Sequence, residues 1–185
     1  MSDAPPRRAV FLDRDGVLNR ATSIEGRPHP PRSSRDLEVL PGVAEACASL
    51  RSAGLLLIVV TNQPDVARGT ADRATIEQMN DEIKARLAID DVLVCWHDDA
   101  DRCSCRKPRP GLLLEAADRW RIDLASSVMV GDRWRDIEAG RSAGCLTVFV
   151  DHRWAEPPPT DPDLTVAGLF EATSWIVARL TDART

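Results

Sequence analysis

The chain contains no tyrosine, and only two of its 24 basic residues are lysines, Lys84 and Lys107. It has no run of basic residues and a formal net charge of −5, so binding to nucleic acid has no electrostatic support. No apolar stretch approaches the roughly 18 residues that a membrane span requires, and residues 1–8 are polar. These absences predict a soluble protein of the cytoplasm whose partners are neither nucleic acids nor membranes.

Length and composition limit the architecture. With 185 residues and 43% hydrophobic content, the chain is long enough to bury a core and too short for two full domains. We therefore expect one domain over residues 1–185, acting as a monomer.

Apolar runs alternate along the chain with segments in which apolar residues recur every three or four positions. The first pattern predicts buried strands, and the second predicts amphipathic helices. We expect strands at 9–13, 55–61, 92–95, 127–131, 145–150 and 164–166, and helices at 43–53, 73–87, 112–120 and 135–143, with a final helix that includes Leu169 and Leu180. This alternation predicts an α/β fold, a single doubly wound, Rossmann-like parallel sheet with helices on both faces.

Polar residues follow three of the predicted strands. Asp13 and Asp15 follow the first, Thr61 and Asn62 end the second, and Asp132 follows a later one. The carboxyl ends of parallel strands lie at one edge of the sheet, where ligands bind in such folds. We therefore expect these residues to form one site.

Asp13 and Asp15 are the most informative pair of the chain. Residues i and i+2 of an extended segment share a face, so the two carboxylates can converge. Such a pair suits phosphoryl transfer, because one carboxylate can attack as a nucleophile while the other moves a proton, and a divalent cation can offset their repulsion. For the pair alone, the alternative is an ordinary Asx turn after a strand.

Residues 20–38 form a long irregular segment beside this pair. Loops of this length in a compact domain commonly act as lids or binding loops. We therefore expect a functional loop here. A second irregular segment, at 156–162, is rich in proline.

Three of the five cysteines lie within eleven residues of one another, close to a histidine. Cys95, His97, Cys103 and Cys105 supply three thiolates and an imidazole, a complete tetrahedral set for Zn²⁺. With no export signal in the chain, this spacing favours a metal over disulfides. Four protein ligands leave no position for water, so we expect a structural zinc. The alternative is a group of unligated surface cysteines.

Four segments carry a resemblance to a known family. FLDRDGVLN at 11–19, VVTNQ at 59–63, CRKPRPG at 105–111 and MVGDRWRDIEAG at 129–140 look like the four motifs, in order, of the haloacid dehalogenase superfamily of phosphatases. More narrowly, residues 8–150 resemble the D,D-heptose 1,7-bisphosphate phosphatases and the histidinol-phosphatase domain, which carry a zinc loop before the third motif. The resemblance implies a haloacid dehalogenase-like fold, and the short chain leaves no room for a large cap domain.

The resemblance implies a mechanism for the first motif. Asp13 would attack phosphorus to form an aspartyl-phosphate. Asp15 would protonate the leaving oxygen and then take a proton from the hydrolytic water. Mg²⁺ would be held by the carboxylates of Asp13 and Asp132 and by the backbone carbonyl of Asp15.

The other motifs imply further roles. Thr61 corresponds to the hydroxyl that binds a phosphoryl oxygen, with Asn62 beside it, and Lys107 to the lysine that neutralises phosphoryl charge. Arg106 and Arg133 would bind further substrate oxygens. By their residue types alone, Thr61 also fits a β-branched strand end and Arg133 a solvated surface side chain.

Asp136, in the fourth motif, would support the site from behind the residues that touch substrate. The alternative is a carboxylate that stabilises the first turn of a helix. Either role places it at the start of the helix after Asp132.

The sequence departs from the heptose phosphatases in two loops that contact substrate in that family. It has Pro64-Asp65 where they have Ser-Gly, and it lacks their Gly-Tyr pair after the first motif. We expect a Mg²⁺-dependent phosphomonoesterase that removes the 7-phosphate of D-glycero-D-manno-heptose 1,7-bisphosphate. Histidinol phosphate or another small sugar phosphate is the alternative substrate. A non-catalytic phosphate-binding interaction protein is the alternative of a different class.

Overall fold

The computed structural model describes residues 5–181 and contains a six-stranded sheet and a separate two-stranded one. The strands are β1 (Ala9–Leu12), β2 (Thr22–Ile24), β3 (Arg27–His29), β4 (Leu56–Asn62), β5 (Asp91–Cys95), β6 (Val128–Gly131), β7 (Leu146–Val150) and β8 (Leu164–Val166). The larger sheet has the order β5-β4-β1-β6-β7-β8, and all its pairings are parallel. This confirms the predicted fold class.

The first strand lies at the centre of the large sheet. All four residues of β1 are buried, since β4 and β6 pair with its two edges and helices cover both faces. Its side chains alternate between the faces, with Val10 and Leu12 in one core and Ala9 and Phe11 in the other. The residues after β1 therefore emerge in the middle of the carboxyl edge.

In the part of the chain that the structure describes, five α-helices form the outer layers: α1 (Val43–Ser52), α2 (Arg73–Leu87), α3 (Gly111–Trp120), α4 (Trp134–Ala143) and α5 (Leu169–Thr181). Helices α1, α2 and α5 cover one face of the sheet, and α3 and α4 cover the other. Within residues 5–181, no helix is both long and apolar enough to cross a membrane.

The predicted loop at 20–38 is corrected by the structure, because part of it is a β-hairpin. Strands β2 and β3 pair in antiparallel register through a two-residue turn, Glu25-Gly26, in which both residues have positive φ angles of 52° and 75°. Such a turn matches the twist of a hairpin. Three-residue strands with exposed, mixed side chains carry no clear period, so the sequence pattern does not reveal them. No large cap accompanies the sheet within the described residues.

Candidate active site

A cleft of about 510 Å³ opens at the carboxyl edge of the sheet, where the loops after β1, β4 and β6 meet. Its walls contain most of the residues predicted from the motifs, namely Asp13, Asp15, Thr61, Asn62, Arg106, Lys107 and Arg133. Asp132 lines an adjoining cavity of about 230 Å³. The fold thus brings the predicted residues together, while the roles assigned to them stay predictions.

Lys107 lies at the base of the cleft and is 2% exposed. Its Nζ is 2.9 Å from Asp13 Oδ1 and 2.6 Å from Asp136 Oδ1, and it donates to the Val60 carbonyl at 2.8 Å. Burial lowers the pKa of Lys107, but the two carboxylates more than offset this, so its pKa is raised and the ammonium stays charged. Lys107 therefore fixes Asp13 and supplies a positive charge beneath it.

Asp13 is one of the two carboxylates that contact this ammonium. Burial raises its pKa, the charge of Lys107 opposes that effect, and the nearby Asp136 and Asp15 raise it further. The net shift is upward, which means that the ionised form of Asp13 is under-compensated by the protein alone. An additional cation would favour the ionised form that a nucleophile requires.

The protein compensates the ionised form of Asp132 even less than that of Asp13. Burial and the neighbouring charge of Asp13 raise the pKa of Asp132 well above the usual range. Trp154 Nε1 donates to Asp132 Oδ2 at 2.7 Å, whereas Asp132 Oδ1 is buried without any hydrogen-bond partner. An unpartnered buried carboxylate oxygen is costly unless a ligand satisfies it.

These features fit a hard divalent cation. Carboxylate oxygens of Asp13, Asp132 and Asp136 lie within 4.8 Å of one another. Lys107 bonds to two of the three, so Asp132 contributes the free oxygen. An all-oxygen set with excess negative charge is the set that Mg²⁺ prefers.

Asp15 lies at the edge of the cleft with its carboxylate held by donors on both oxygens. Arg14 Nη2 donates at 2.9 Å, Asn19 Nδ2 at 2.9 Å and Gln63 Nε2 at 2.9 Å. Arg14 is fully buried, and its Nη1 donates to Asn80 Oδ1 at 2.7 Å. The side chain of Asp15 therefore has little freedom to turn.

Thr61 and Asn62 end β4 at the floor of the cleft. Thr61 Oγ1 accepts a hydrogen bond from Gln63 Nε2 at 2.9 Å. Asn62 Nδ2 donates to the Lys107 carbonyl and Asn62 Oδ1 accepts from the Lys107 amide, both at 3.1 Å. The amide of Asn62 thus holds the backbone of Lys107, a contact that the motif comparison did not suggest.

The predicted substrate arginines are each paired with a carboxylate. Arg106 is 8% exposed, and its Nε donates to Asp99 Oδ1 at 2.8 Å. Arg133 forms an ion pair with Glu156. These partners orient the guanidinium groups along the wall of the cleft, where Arg135 also approaches Asp99 at 3.5 Å.

Cys95, His97, Cys103 and Cys105 form a separate cluster beside the cleft. Their sulfur atoms are 3.3 to 3.7 Å apart, and His97 Nδ1 is 3.3 Å from Cys105 Sγ and 3.7 Å from Cys95 Sγ. A tetrahedral Zn²⁺ with Zn–S bonds of about 2.3 Å separates its sulfur ligands by about 3.8 Å. The donor set and its spacing therefore fit zinc.

Several residues that hold the site were absent from the sequence predictions: Arg14, Asn19, Gln63, Asn80, Trp154 and Glu156. Arg14 gives a detectable signal, because an arginine between two aspartates at the end of a buried strand needs a carboxylate partner. Trp154 and Glu156 give none, since their partners lie more than twenty positions away.

Comparison with known proteins agrees with this geometry. The family model for haloacid dehalogenase-like hydrolases matches residues 32–144. The D-glycero-β-D-manno-heptose-1,7-bisphosphate 7-phosphatase of Bordetella bronchiseptica is 36% identical over 148 residues, which cover 77% of this chain and 80% of that protein. Its counterpart in Escherichia coli K12 is 37% identical over 186 residues, covering 94% and 90% of the two chains.

Solved structures give the same result. A crystal structure of the B. bronchiseptica D,D-heptose 1,7-bisphosphate phosphatase with magnesium and phosphate superposes with a TM-score of 0.80 at 31% identity, covering 92% of this chain and 98% of that one. A HAD-like phosphatase from Mesorhizobium loti superposes with a TM-score of 0.79 at 30% identity, covering 98% and 91%.

Proposed function

Because this chain belongs to the haloacid dehalogenase-like hydrolase family, we propose that it is a Mg²⁺-dependent phosphatase that acts through an aspartyl-phosphate on Asp13. One observation supports this proposal above the others: Lys107 Nζ holds Asp13 Oδ1 at 2.9 Å, beside an Asp132 oxygen that has no protein partner. The proposed nucleophile, a fixed positive charge and an incomplete cation site thus lie side by side.

In the first step, an oxygen of Asp13 attacks phosphorus and the bond from phosphorus to the ester oxygen breaks. The leaving oxygen receives a proton from Asp15. Lys107 stays protonated and lies close enough to offset charge on the phosphoryl oxygens, with Thr61 as a neighbouring hydroxyl.

In the second step, water attacks phosphorus, Asp15 takes a proton from that water, and the bond from phosphorus to Asp13 breaks to release phosphate. The structure holds Asp15 with hydrogen bonds donated to both of its oxygens. Arg14, Asn19 and Gln63 therefore orient Asp15 for its role as a base.

Asp13, Asp132 and the backbone carbonyl of Asp15 would hold Mg²⁺, which offsets the carboxylate charges and polarises the phosphoryl group when bound. The raised pKa values of Asp13 and Asp132 support this assignment, because burial disfavours their charge without a cation. Asp136 bonds to Lys107 and so acts behind the reacting groups.

For the substrate, we propose D-glycero-β-D-manno-heptose 1,7-bisphosphate, which loses its 7-phosphate. The support is the name shared by relatives at 36% to 39% identity. The cleft is consistent with a second anionic group, because Arg106, Arg133 and Arg135 line it in addition to Lys107. Histidinol phosphate has an ammonium group at its other end and gains nothing from these guanidinium groups.

We also propose that Cys95, His97, Cys103 and Cys105 bind a structural zinc. The spacing of the four donor atoms supports this, and the next two residues, Arg106 and Lys107, line the cleft. Three thiols that remain available for metal suit a reducing compartment, so we propose the cytoplasm as the location of this protein. We also propose that the protein is a monomer. Light scattering of the purified protein tests this.

The decisive experiment measures phosphate release from the heptose bisphosphate and from histidinol phosphate by the wild type, Asp13→Asn and Asp81→Asn. Asp81 lies exposed on α2 and serves as the matched control. We expect a higher kcat/KM for the heptose bisphosphate, and a loss of about 10³-fold or more only in Asp13→Asn, since an amide cannot replace the attacking carboxylate.

Two results would contradict the proposal. Near-normal turnover in Asp13→Asn excludes the aspartyl-phosphate, and a wild-type preference for histidinol phosphate reverses the substrate assignment. If neither substrate releases phosphate and the protein nevertheless binds inorganic phosphate, the non-catalytic phosphate-binding protein is favoured instead.

A further inference from the structure

The segment that follows β7, residues 151–156, crosses the edge of the cleft and is called the strap here. Four contacts join it to three parts of the site. His152 Nε2 donates to the Gly16 carbonyl at 2.6 Å, Trp154 Nε1 donates to Asp132 Oδ2 at 2.7 Å, the Ala155 amide donates to the Gly26 carbonyl at 2.7 Å, and Glu156 pairs with Arg133. The strap thus touches the first motif, the fourth motif and the hairpin at once.

The conformation of the strap is well determined by these contacts. The Arg153 amide donates to Asp151 Oδ1 at 2.8 Å, and Arg153 has a φ of 57°. The rings of His152 and Trp154 pack with their centroids 5.1 Å apart. The turn and the contact between the two rings restrict the orientation of the Trp154 indole.

The hydrogen bond from Trp154 makes the two carboxylate oxygens of Asp132 unequal. An indole N–H can only donate, so Oδ2 is committed to accepting this bond. Oδ1 is buried and has no protein partner. The backbone of Gly16 also limits the space near Oδ2, since a Cβ on Gly16 would lie 2.1 Å from that oxygen.

A neutral donor suits this task better than a charged one. An arginine or lysine in place of the indole would neutralise Asp132 and so weaken its attraction for a cation. The indole instead opposes rotation of the carboxylate while leaving its charge in place. Hydrogen bonds of this kind to a ligating side chain commonly affect metal affinity by about 10- to 100-fold.

We propose that Trp154 is a positioning residue for the Mg²⁺ site, which holds Asp132 so that Oδ1 faces the cation. The inference rests on the proposed Mg²⁺-dependent function but adds a residue outside the four motifs. Trp154 lines the cavity that contains Asp132 and does not line the cleft that contains Asp13 and Asp15, so we expect it to affect metal affinity rather than the chemical step.

The test measures Mg²⁺ affinity without substrate, from the rise in melting temperature as Mg²⁺ is added to metal-free protein. The variants are Trp154→Phe, which removes the N–H and keeps a ring, and Trp175→Phe as the matched control. Trp175 is half-buried on α5, where Arg179 stacks on its ring. We expect Trp154→Phe to raise the Kd for Mg²⁺ by about 10- to 100-fold, and Trp175→Phe to leave it unchanged.

A second readout separates positioning from a merely structural role. At saturating Mg²⁺, kcat of Trp154→Phe should return to within about threefold of wild type, because the chemical groups are intact. Equal Mg²⁺ affinity in Trp154→Phe and wild type overturns the proposal, even if the metal-free variant melts at a lower temperature. If Trp154→Phe does not fold, Trp154→Gln and Trp154→Leu replace it as variants of similar size with and without an N–H donor. Equal affinity in that pair also overturns the proposal.

The outcome is distinguishable from failure of the proposed function. A wild type that binds Mg²⁺ but releases no phosphate contradicts the function. A wild type that is active with Mg²⁺, alongside a Trp154→Phe protein of unchanged affinity, contradicts only the role of Trp154.

Discussion

Gly16 is the residue at which the first and fourth motifs meet. Its φ is +87°, and a Cβ there would approach Asp132 Oδ2 to 2.1 Å. Gly144, at the end of α4, has a matching φ of +85° but no atom within 4 Å of the Cβ position. A substitution at Gly144 therefore introduces backbone strain alone, whereas one at Gly16 introduces the same strain and a collision with Asp132.

Gly16→Ala and Gly144→Ala should consequently differ in function more than in strain. We expect both to lose about 1–2 kcal/mol of unfolding free energy from the left-handed backbone. Only Gly16→Ala should also lose activity, by about 10²-fold, because Asp132 must move. Urea denaturation and phosphate release measure the two effects, and equal activities would contradict the close approach described for Gly16.

Residue identity predicted which side chains line the cleft, and it placed Asp136 behind them, but it did not predict most of the residues that hold them. Lys107 was identifiable because lysine is so rare in this chain, and its contacts with Asp13 and Asp136 agree with its motif. The bond between Asn62 and the Lys107 backbone was not identifiable. A side-chain amide can bond to substrate or to backbone, and only the folded geometry decides between them.

At the scale of elements, the strands and helices of the large sheet were predicted to within about two residues. Continuous apolar runs and the helical period determine them, since both record which face is buried. The hairpin of β2 and β3 and the strap were missed. Both segments are short or irregular. Their conformations are determined by tertiary contacts and leave no local pattern in the sequence.

The order of the loop from Cys95 to Cys105 should depend on a bound metal. The loop contains few buried apolar side chains, so its order depends on the four proposed zinc ligands. Cys103→Ser should lower zinc content below one atom per chain and reduce activity by up to about 10²-fold, since Arg106 and Lys107 follow directly. Cys47→Ser, in the buried face of α1, should keep its zinc.

Elemental analysis and phosphate release on the same samples decide this point. An unchanged zinc content in Cys103→Ser would show that the four-ligand assignment is wrong. Full activity after loss of zinc would show that the loop orders itself without the metal.

The cluster of Asp13, Asp132 and Asp136 affects the stability of the whole molecule. Without a bound cation, its buried carboxylates should lower the free energy of unfolding. Burial raises the pKa of Asp13 to about 6 and that of Asp132 well above 3.8. Raised values mean that these two carboxyls bind more protons in the folded protein than in the unfolded chain. The stability that they contribute to the metal-free protein should therefore fall as pH rises from about 4 to 6.

Asp132→Asn should therefore stabilise the metal-free protein at neutral pH, by about 1–3 kcal/mol, because a buried charge is removed. The same substitution should abolish stabilisation by Mg²⁺, which in the wild type reaches about 2.7 kcal/mol at 100 times the Kd. Thermal unfolding with EDTA and with Mg²⁺ measures both effects. Equal gains from Mg²⁺ in the two proteins would contradict the role of Asp132.

The central position of β1 also has a consequence for biosynthesis. The Ala9 amide donates to Ser127 Oγ, a residue 118 positions later, and the Asp13 amide donates to the Val130 carbonyl. The second edge of β1 is therefore covered only once β6 is available, and pairings of such long sequence separation form slowly. Until β6 has left the ribosome, β1 presents an open edge that other chains can pair with. A growing chain that has emerged only as far as β5 thus carries Asp13 and Asp15 but lacks both Asp132 and the second neighbour of β1.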